Sequence, residues 1–182
     1  MNDWSTYPFK KYIIVDDLIN HLPPGVSIST MCAKCKIGTN FNLDNIRKYL
    51  ILSPDDILTI KTNSNNMRTL IPGKNKKRRT KRKAKPKCNP FYNQVTVIVR
   101  INEGEFSDLN EEKKINLKLF KNGSIQISGL TNIENANRAL NKLVYCLGQI
   151  KAKIEDSVIV EYPFVEDTTN LGIYDFQIYM IN

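Results

Sequence analysis

The residue types that could do chemistry are few in this 182-residue chain, and most of them are cations. From Lys74 to Lys87 there are seven Lys and three Arg with no acid, so removing these ten from a net charge of +9 leaves 9 − 10 = −1. The basic character is therefore one local block, densest at Lys76, Lys77, Arg78, Arg79, Lys81, Arg82 and Lys83. Ten like charges cannot share a low-dielectric interior, so the block must be a solvated arm whose natural partners are polyanions. A nuclear-import tag or a solubilising loop is the plainer account of the same composition.

Other chemistry is sparsely provided. The one histidine, His21, stands beside Pro23-Pro24. No glycine-rich phosphate loop follows a strand, and no Cys-His or paired-carboxylate constellation occurs, so the sequence points away from an enzyme and implies no cofactor. Cys32 and Cys35 form a C-x-x-C, but no second ligand pair at tight spacing accompanies them, so no metal site is expected. On a strand, residues three apart point to opposite faces, which makes these cysteines free thiols. No run approaches the roughly 18 apolar residues of a membrane helix. The N-terminus lacks a secretory pattern. An intracellular protein with reduced cysteines and no membrane partner is the expectation.

Positioning elements follow from periodicity. Residues 1–22 read as an N-terminal extension, with a short helical possibility at Asp16 to His21. Val26 to Ala33 alternates as a strand. Asn42 is a good N-cap for a helix carrying Leu43, Ile46, Leu50 and Ile51 through about Leu52. Ile57 to Lys61 reads as a strand, and Thr62 to Pro90, without hydrophobic period, as a surface loop holding the basic block. Gln94 to Asn102 is a β-branched strand, and Glu103 to Glu112 a loop. Lys114 to Phe120 and Ser124 to Ser128 form a hairpin through Lys121-Asn122-Gly123. Thr131, with Glu134 three on, forms a capping box opening a helix through about Gln149, its stripe being Ile133, Ala136, Leu140, Leu143, Val144 and Leu147. Ser157 to Tyr162 and Tyr174 to Ile181 are further strands. The order β–α–β–(arm)–β–β–β–α–β predicts an α+β fold: a curved antiparallel sheet covered on one face by two helices. Ile115, Leu117, Leu119, Ile125 and Ile127 must meet those helices. The opposite face then presents Asn116, Lys118, Phe120, Ser124, Gln126 and Ser128.

Three stretches resemble the TATA-box-binding protein family. Ile28 to Met31 followed by Leu43 to Leu50 is similar to its opening strand and first helix, and Val97 to Ile101 to its third strand. Leu117 to Gly129 (LKLFKNGSIQISG) is the nearest match. Tyr174 to Asn182 resembles the opening strand of a second repeat. The resemblance divides the chain into an extension (1–22), a first repeat (23–156) with the basic insertion 62–90, and a linker plus opening strand (157–182). The divergence, with an Asn, Ile and Lys bias, is similar to members from large cytoplasmic DNA viruses. It implies a saddle lobe and a transcription-initiation factor that binds double-stranded DNA. Further expected partners are other initiation factors and RNA polymerase, with a second repeat or a homodimer completing the saddle. The compartment would be the cytoplasmic viral factory or virion for a viral protein, otherwise the nucleus.

In that family the sheet lies on the minor groove and wedges aromatic rings between base steps. Carried onto this chain, Phe120 matches one wedge, Lys118, Gln126 and Ser128 match neighbouring face positions, Arg100 matches a backbone-contacting arginine, and Ile28 supplies apolar contact. Gln94 stands where the partner wedge is expected, with Phe91 and Tyr92 nearby. Val26 replaces a base-reading asparagine, and Lys118 and Gln126 replace apolar residues. These departures alter the expected sequence preference rather than duplex binding itself. A protein-interaction module that keeps the fold, and an RNA-binding module, are the alternatives.

Overall fold

Seven antiparallel strands carry the architecture, because alternating β-branched and polar residues give each strand one apolar and one polar face. The computed structural model describes residues 27–62, 67–71, 93–101 and 113–182. Among them, in chain order, are β1 (Met31–Lys36), α1 (Leu43–Tyr49), β2 (Ile57–Lys61), β3 (Met67–Thr69), β4 (Gln94–Ile101) and β5 (Lys113–Phe120). β6 (Ser124–Leu130), α2 (Ile133–Gly148), β7 (Lys151–Glu155), β8 (Val158–Tyr162) and β9 (Tyr174–Ile181) follow. The sheet order is β3-β2-β4-β5-β6-β1-β9, every neighbouring pair being antiparallel, and β7 and β8 form a separate hairpin. Two helices cover one face, with α1 packing on β4 and α2 on β4 and β6. This is the predicted α+β class.

The core sits between sheet and helices. Val95, Val97, Val99, Ile115, Leu117, Leu119, Ile125 and Ile127 meet Ile46, Ala136, Leu140, Leu143 and Leu147, all essentially inaccessible. Burying each large aliphatic side chain contributes roughly 1.5–3 kcal/mol before entropy is charged against it. α2 presents the predicted stripe, with Asn141 and Lys142 buried beside it. Lys142 Nζ donates to the carbonyls of Asp55 and Arg100 and pairs with Asp56 (3.4 Å), fastening the helix to the ends of β2 and β4.

Several predicted boundaries move. The first strand is Met31–Lys36 instead of Val26 to Ala33, because its pairing with β6 and β9 starts only at Met31. α1 keeps its Asn42 cap (Asn45 N–H to Oδ1, 3.4 Å) but ends at Tyr49, where the chain turns extended and buries Leu50. β3 lies inside the segment expected to be loop: a three-residue edge strand has no room for a period, and Thr59 and Thr69 link it through their hydroxyls (2.6 Å). α2 is capped by Asn132, not Thr131, the Asn135 N–H reaching Asn132 Oδ1 (2.9 Å) while Thr131 Oγ1 accepts from Lys113 and from the Asn135 amide. Glu134 pairs forward with Arg138 (3.2 Å) rather than closing a capping box. Residues 151–155, read as a polar connection, become the first arm of the β7–β8 hairpin. Its two-residue turn, Asp156-Ser157, adopts positive φ at both positions (47° and 68°). Residues 1–26, the basic block and the 103–112 segment lie outside the described residues.

Candidate nucleic-acid interface

Among the described residues no further element covers the face of the sheet turned away from the helices, and strand parity decides what this bare face shows. β5 alternates Ile115, Leu117 and Leu119 inward with Asn116, Lys118 and Phe120 outward; β6 alternates Ile125 and Ile127 inward with Ser124, Gln126 and Ser128 outward. Phe120 is half-buried and belongs neither to the core nor to the hydrophobic residues packed against it. Its ring borders a shallow hollow lined by Asn40, Asn93, Lys121, Asn122 and Ser124.

The turn that follows Phe120 is held at one end of the sheet by a clamp of backbone hydrogen bonds. The Gly123 N–H closes the turn on Phe120 O (3.0 Å), and the Lys121 N–H donates to Asn93 O (3.2 Å). From the β1–α1 connection, Ile37 N–H reaches Gly123 O (3.1 Å) and Phe41 N–H reaches Lys121 O (3.0 Å). Gly123 alone in this turn takes positive φ (+79°), so the loop is the expected three-residue turn Lys121-Asn122-Gly123, ending in a left-handed glycine. A Cβ at Gly123 would stand 2.2 Å from Thr39 O, which is why the connection can lie so close.

Register joins distant strands into rows across the bare face. Gln94 lies directly opposite Phe120, so β4 begins at the Phe120 end. Ile98, Asn116, Ser128, Cys32 and Met180 make a second row over β4, β5, β6, β1 and β9. Tyr179 neighbours Cys32, and its hydroxyl is held above its ordinary pKa by burial first and by Cys32 second. Cys35, three residues on, faces the core, where burial pushes its thiol up to about 12. The C-x-x-C is therefore split across the sheet, as strand parity requires. Among the described residues no group of three or more His, Cys, Asp or Glu could hold a metal ion.

The other expected site residues fall as follows. Lys118, Gln126 and Ser128 share the bare face with Phe120, and Ser128 and Gln126 pair with Asn116 and Lys118 across the hairpin. Arg100 starts on the same face, but its guanidinium reaches Pro54 O (3.1 Å) at the α1–β2 connection. Ile28, expected to offer apolar contact, precedes β1 and packs against the core. Phe91, Tyr92, Val26, Lys76, Lys77, Arg78, Arg79, Lys81, Arg82 and Lys83 lie outside the described residues. Sequence reasoning missed Cys32, Lys34 and Lys36 of β1, because the strand was placed too early; the alternation Cys32-Ala33-Lys34-Cys35-Lys36 was the available signal. It also missed Tyr174, Gln177, Tyr179 and Met180, whose place beside β1 is set by a long-range pairing.

Fold and face together define an open-faced α+β protein: a seven-stranded antiparallel sheet with helices on one side and, on the other, a face of mixed polarity that no other described element covers, with Phe120 at one end. Among known proteins, the chain is similar to the TATA-box-binding protein-like protein of Acanthamoeba polyphaga mimivirus, with 33% identity over 183 residues. The match covers 98% of this chain and 45% of that protein, so the chain spans less than half the length of its relative. Over nearly its whole length it is thus a diverged relative of a viral TATA-box-binding protein-like protein. No family model matches the chain, and no solved structure matches it.

Proposed function

We propose that this chain is a transcription-initiation factor of TATA-box-binding type that engages the minor groove of duplex DNA through the bare face of its sheet. The observation that carries this reading is the outward position of Phe120, at the start of a hydrogen-bonded turn, on a face where its neighbours are Lys118, Ser124, Gln126 and Ser128. A ring fixed at the end of such a face can enter a base step, and the bent, widened groove then buries the sheet and offsets the unstacking. The cationic block from Lys74 to Lys87 reaches phosphates beside the groove, so affinity falls by about 0.9 log unit per log unit of salt for each phosphate neutralised. A second lobe, from a longer chain or a second copy, continues the sheet beyond β9. The helical side remains available to other initiation factors and the polymerase, at the site of transcription inside the cell (the cytoplasmic viral factory for a viral protein).

Replacing Phe120 by Ser tests the wedge. Loss of one aromatic–base stack is worth about 1–3 kcal/mol, so duplex affinity should fall about 5- to 150-fold and the bend angle, read by fluorescence transfer between labelled DNA ends, should shrink. Unchanged affinity and bending would refute the wedge. A second reading, a protein-interaction module on the same fold, is favoured by the exposed Ile154, Val158 and Ile159 of the β7–β8 hairpin. Equal-charge RNA outcompeting duplex DNA would instead favour the RNA-binding alternative.

A further inference from the structure

Between the Phe120 row and the Cys32 row runs a third, and it is the most regular feature of the bare face. Register links Lys61 of β2 to Thr96 of β4, Thr96 to Lys118 of β5, Lys118 to Gln126 of β6, Gln126 to Lys34 of β1, and Lys34 to Gln177 of β9. These six strands are consecutive neighbours in the sheet. With strands about 4.8 Å apart, the three lysines recur about every 9.6 Å, and the row is about 24 Å long. Lys61, Lys118, Gln126, Lys34 and Gln177 are exposed, and Thr96 is half-buried. None of the three ammonium groups pairs with a described carboxylate; the nearest cation on the neighbouring row, Lys36, is bridged to Asp175 at 3.4 Å.

An exposed lysine usually only keeps a surface soluble, or guards a sheet edge against pairing. Lys118 and Lys34 guard no edge, for they stand on inner strands that are paired on both sides. Like charges at regular spacing on one unpaired surface repel one another and add nothing to folding, and they suit a ligand that carries regular negative charge. Gln126 and Gln177, interleaved among them, each offer a donor and an acceptor. A row of about 24 Å has the axial length of about seven base-pair steps of 3.4 Å.

Resting on the DNA-binding reading above, we infer that Lys61, Lys118 and Lys34 form a second phosphate-contacting element, built into the sheet and independent of the Lys74–Lys87 block. The duplex lies along this row, across the strands. Gln126 and Gln177 hydrogen-bond the groove between the phosphates.

The test uses the full chain in four forms: wild type; the ten cations of 74–87 changed to Gln; Lys34→Gln with Lys61→Gln and Lys118→Gln; and both sets together. Duplex affinity is measured across about 50–200 mM salt, the range over which phosphate neutralisation dominates. The face substitutions should flatten the slope of log K against log salt by about 0.9 for each phosphate no longer neutralised, up to about 2.7, with the block present or absent. Lys→Arg at the same three positions should restore the slope, and an unchanged urea midpoint shows that the fold is intact. A slope that the face substitutions leave unchanged in the block-neutralised protein overturns the inference while leaving DNA binding standing. A slope that changes for equal-charge RNA but not for duplex DNA also overturns it. Absence of duplex binding by the wild type removes both the inference and the reading beneath it.

Discussion

Two glycines with the same backbone handedness should respond very differently to alanine, and the contrast tests whether the turn beneath Phe120 is clamped. Gly123 (φ +79°) and Gly129 (φ +89°) each occupy the left-handed region, where a Cβ costs about 1–2 kcal/mol. Their surroundings differ. A Cβ on Gly129, the extra residue where β6 bulges against β1, would lie 3.3 Å from Lys114 O, a contact a small shift relieves. A Cβ on Gly123 would lie 2.2 Å from Thr39 O, a backbone atom of a connection that is itself hydrogen-bonded to the turn. Relieving that overlap needs roughly an ångström of backbone movement, and overpacking of this kind costs a further 1–3 kcal/mol or so.

Gly129→Ala should therefore destabilise by about 1–2 kcal/mol and Gly123→Ala by about 2–5 kcal/mol. The entropic effect of removing a glycine from the unfolded chain is common to both and cancels in the comparison. At about 2–4 °C per kcal/mol for a chain of this size, the two variants should differ in Tm by about 2–12 °C. Asparagine sharpens the test, since it tolerates left-handed φ: Gly129→Asn should recover most of the loss, and Gly123→Asn should not. Thermal and urea unfolding of the four variants supply the numbers. Equal losses for the two alanine variants, or rescue of both by asparagine, would refute the clamp, and with it the role of the β1–α1 connection in holding Phe120 in place.

Two further outcomes follow from buried groups. Lys142→Met keeps the aliphatic stem but leaves the Asp56 carboxylate and the Asp55 and Arg100 carbonyls without their shared donor. Since the Asp56 side chain retains 22% exposure and some hydration, the loss in urea unfolding should be about 2–4 kcal/mol rather than the full cost of orphaning a buried charge; a loss below about 1 kcal/mol would show the fastening to be idle. Cys35 supplies a pH dependence: its ordinary value of 9.0 is raised to about 12 by burial, so the unfolded chain releases the proton first. Stability from keeping that thiol neutral is complete below about pH 9 and is lost as pH rises toward about 12. Cys35→Ala removes this term, so the midpoint gap between wild type and variant should narrow between about pH 8 and 11. A gap constant over that range contradicts it.

Local pattern was enough wherever a signal repeats within a few residues. The alternation of Lys114 to Phe120 and Ser124 to Ser128, the Asn42 cap, and the stripe Ala136-Leu140-Leu143-Leu147 each fixed an element and the face it buries, because side-chain direction has period 2 in a strand and 3.6 in a helix. For the same reason Phe120, Lys118, Gln126 and Ser128 could be placed together on the bare face from strand alternation alone. What periodicity cannot encode is which strand lies beside which, and in what register. That Lys61, Lys118 and Lys34 fall in one row, that β9 seals against β1, and that Thr39 O presses on Gly123 all depend on contacts between residues far apart in the chain. Those contacts are selected by the packing of the whole core, since a slip of one residue in any strand would turn its buried side chains outward.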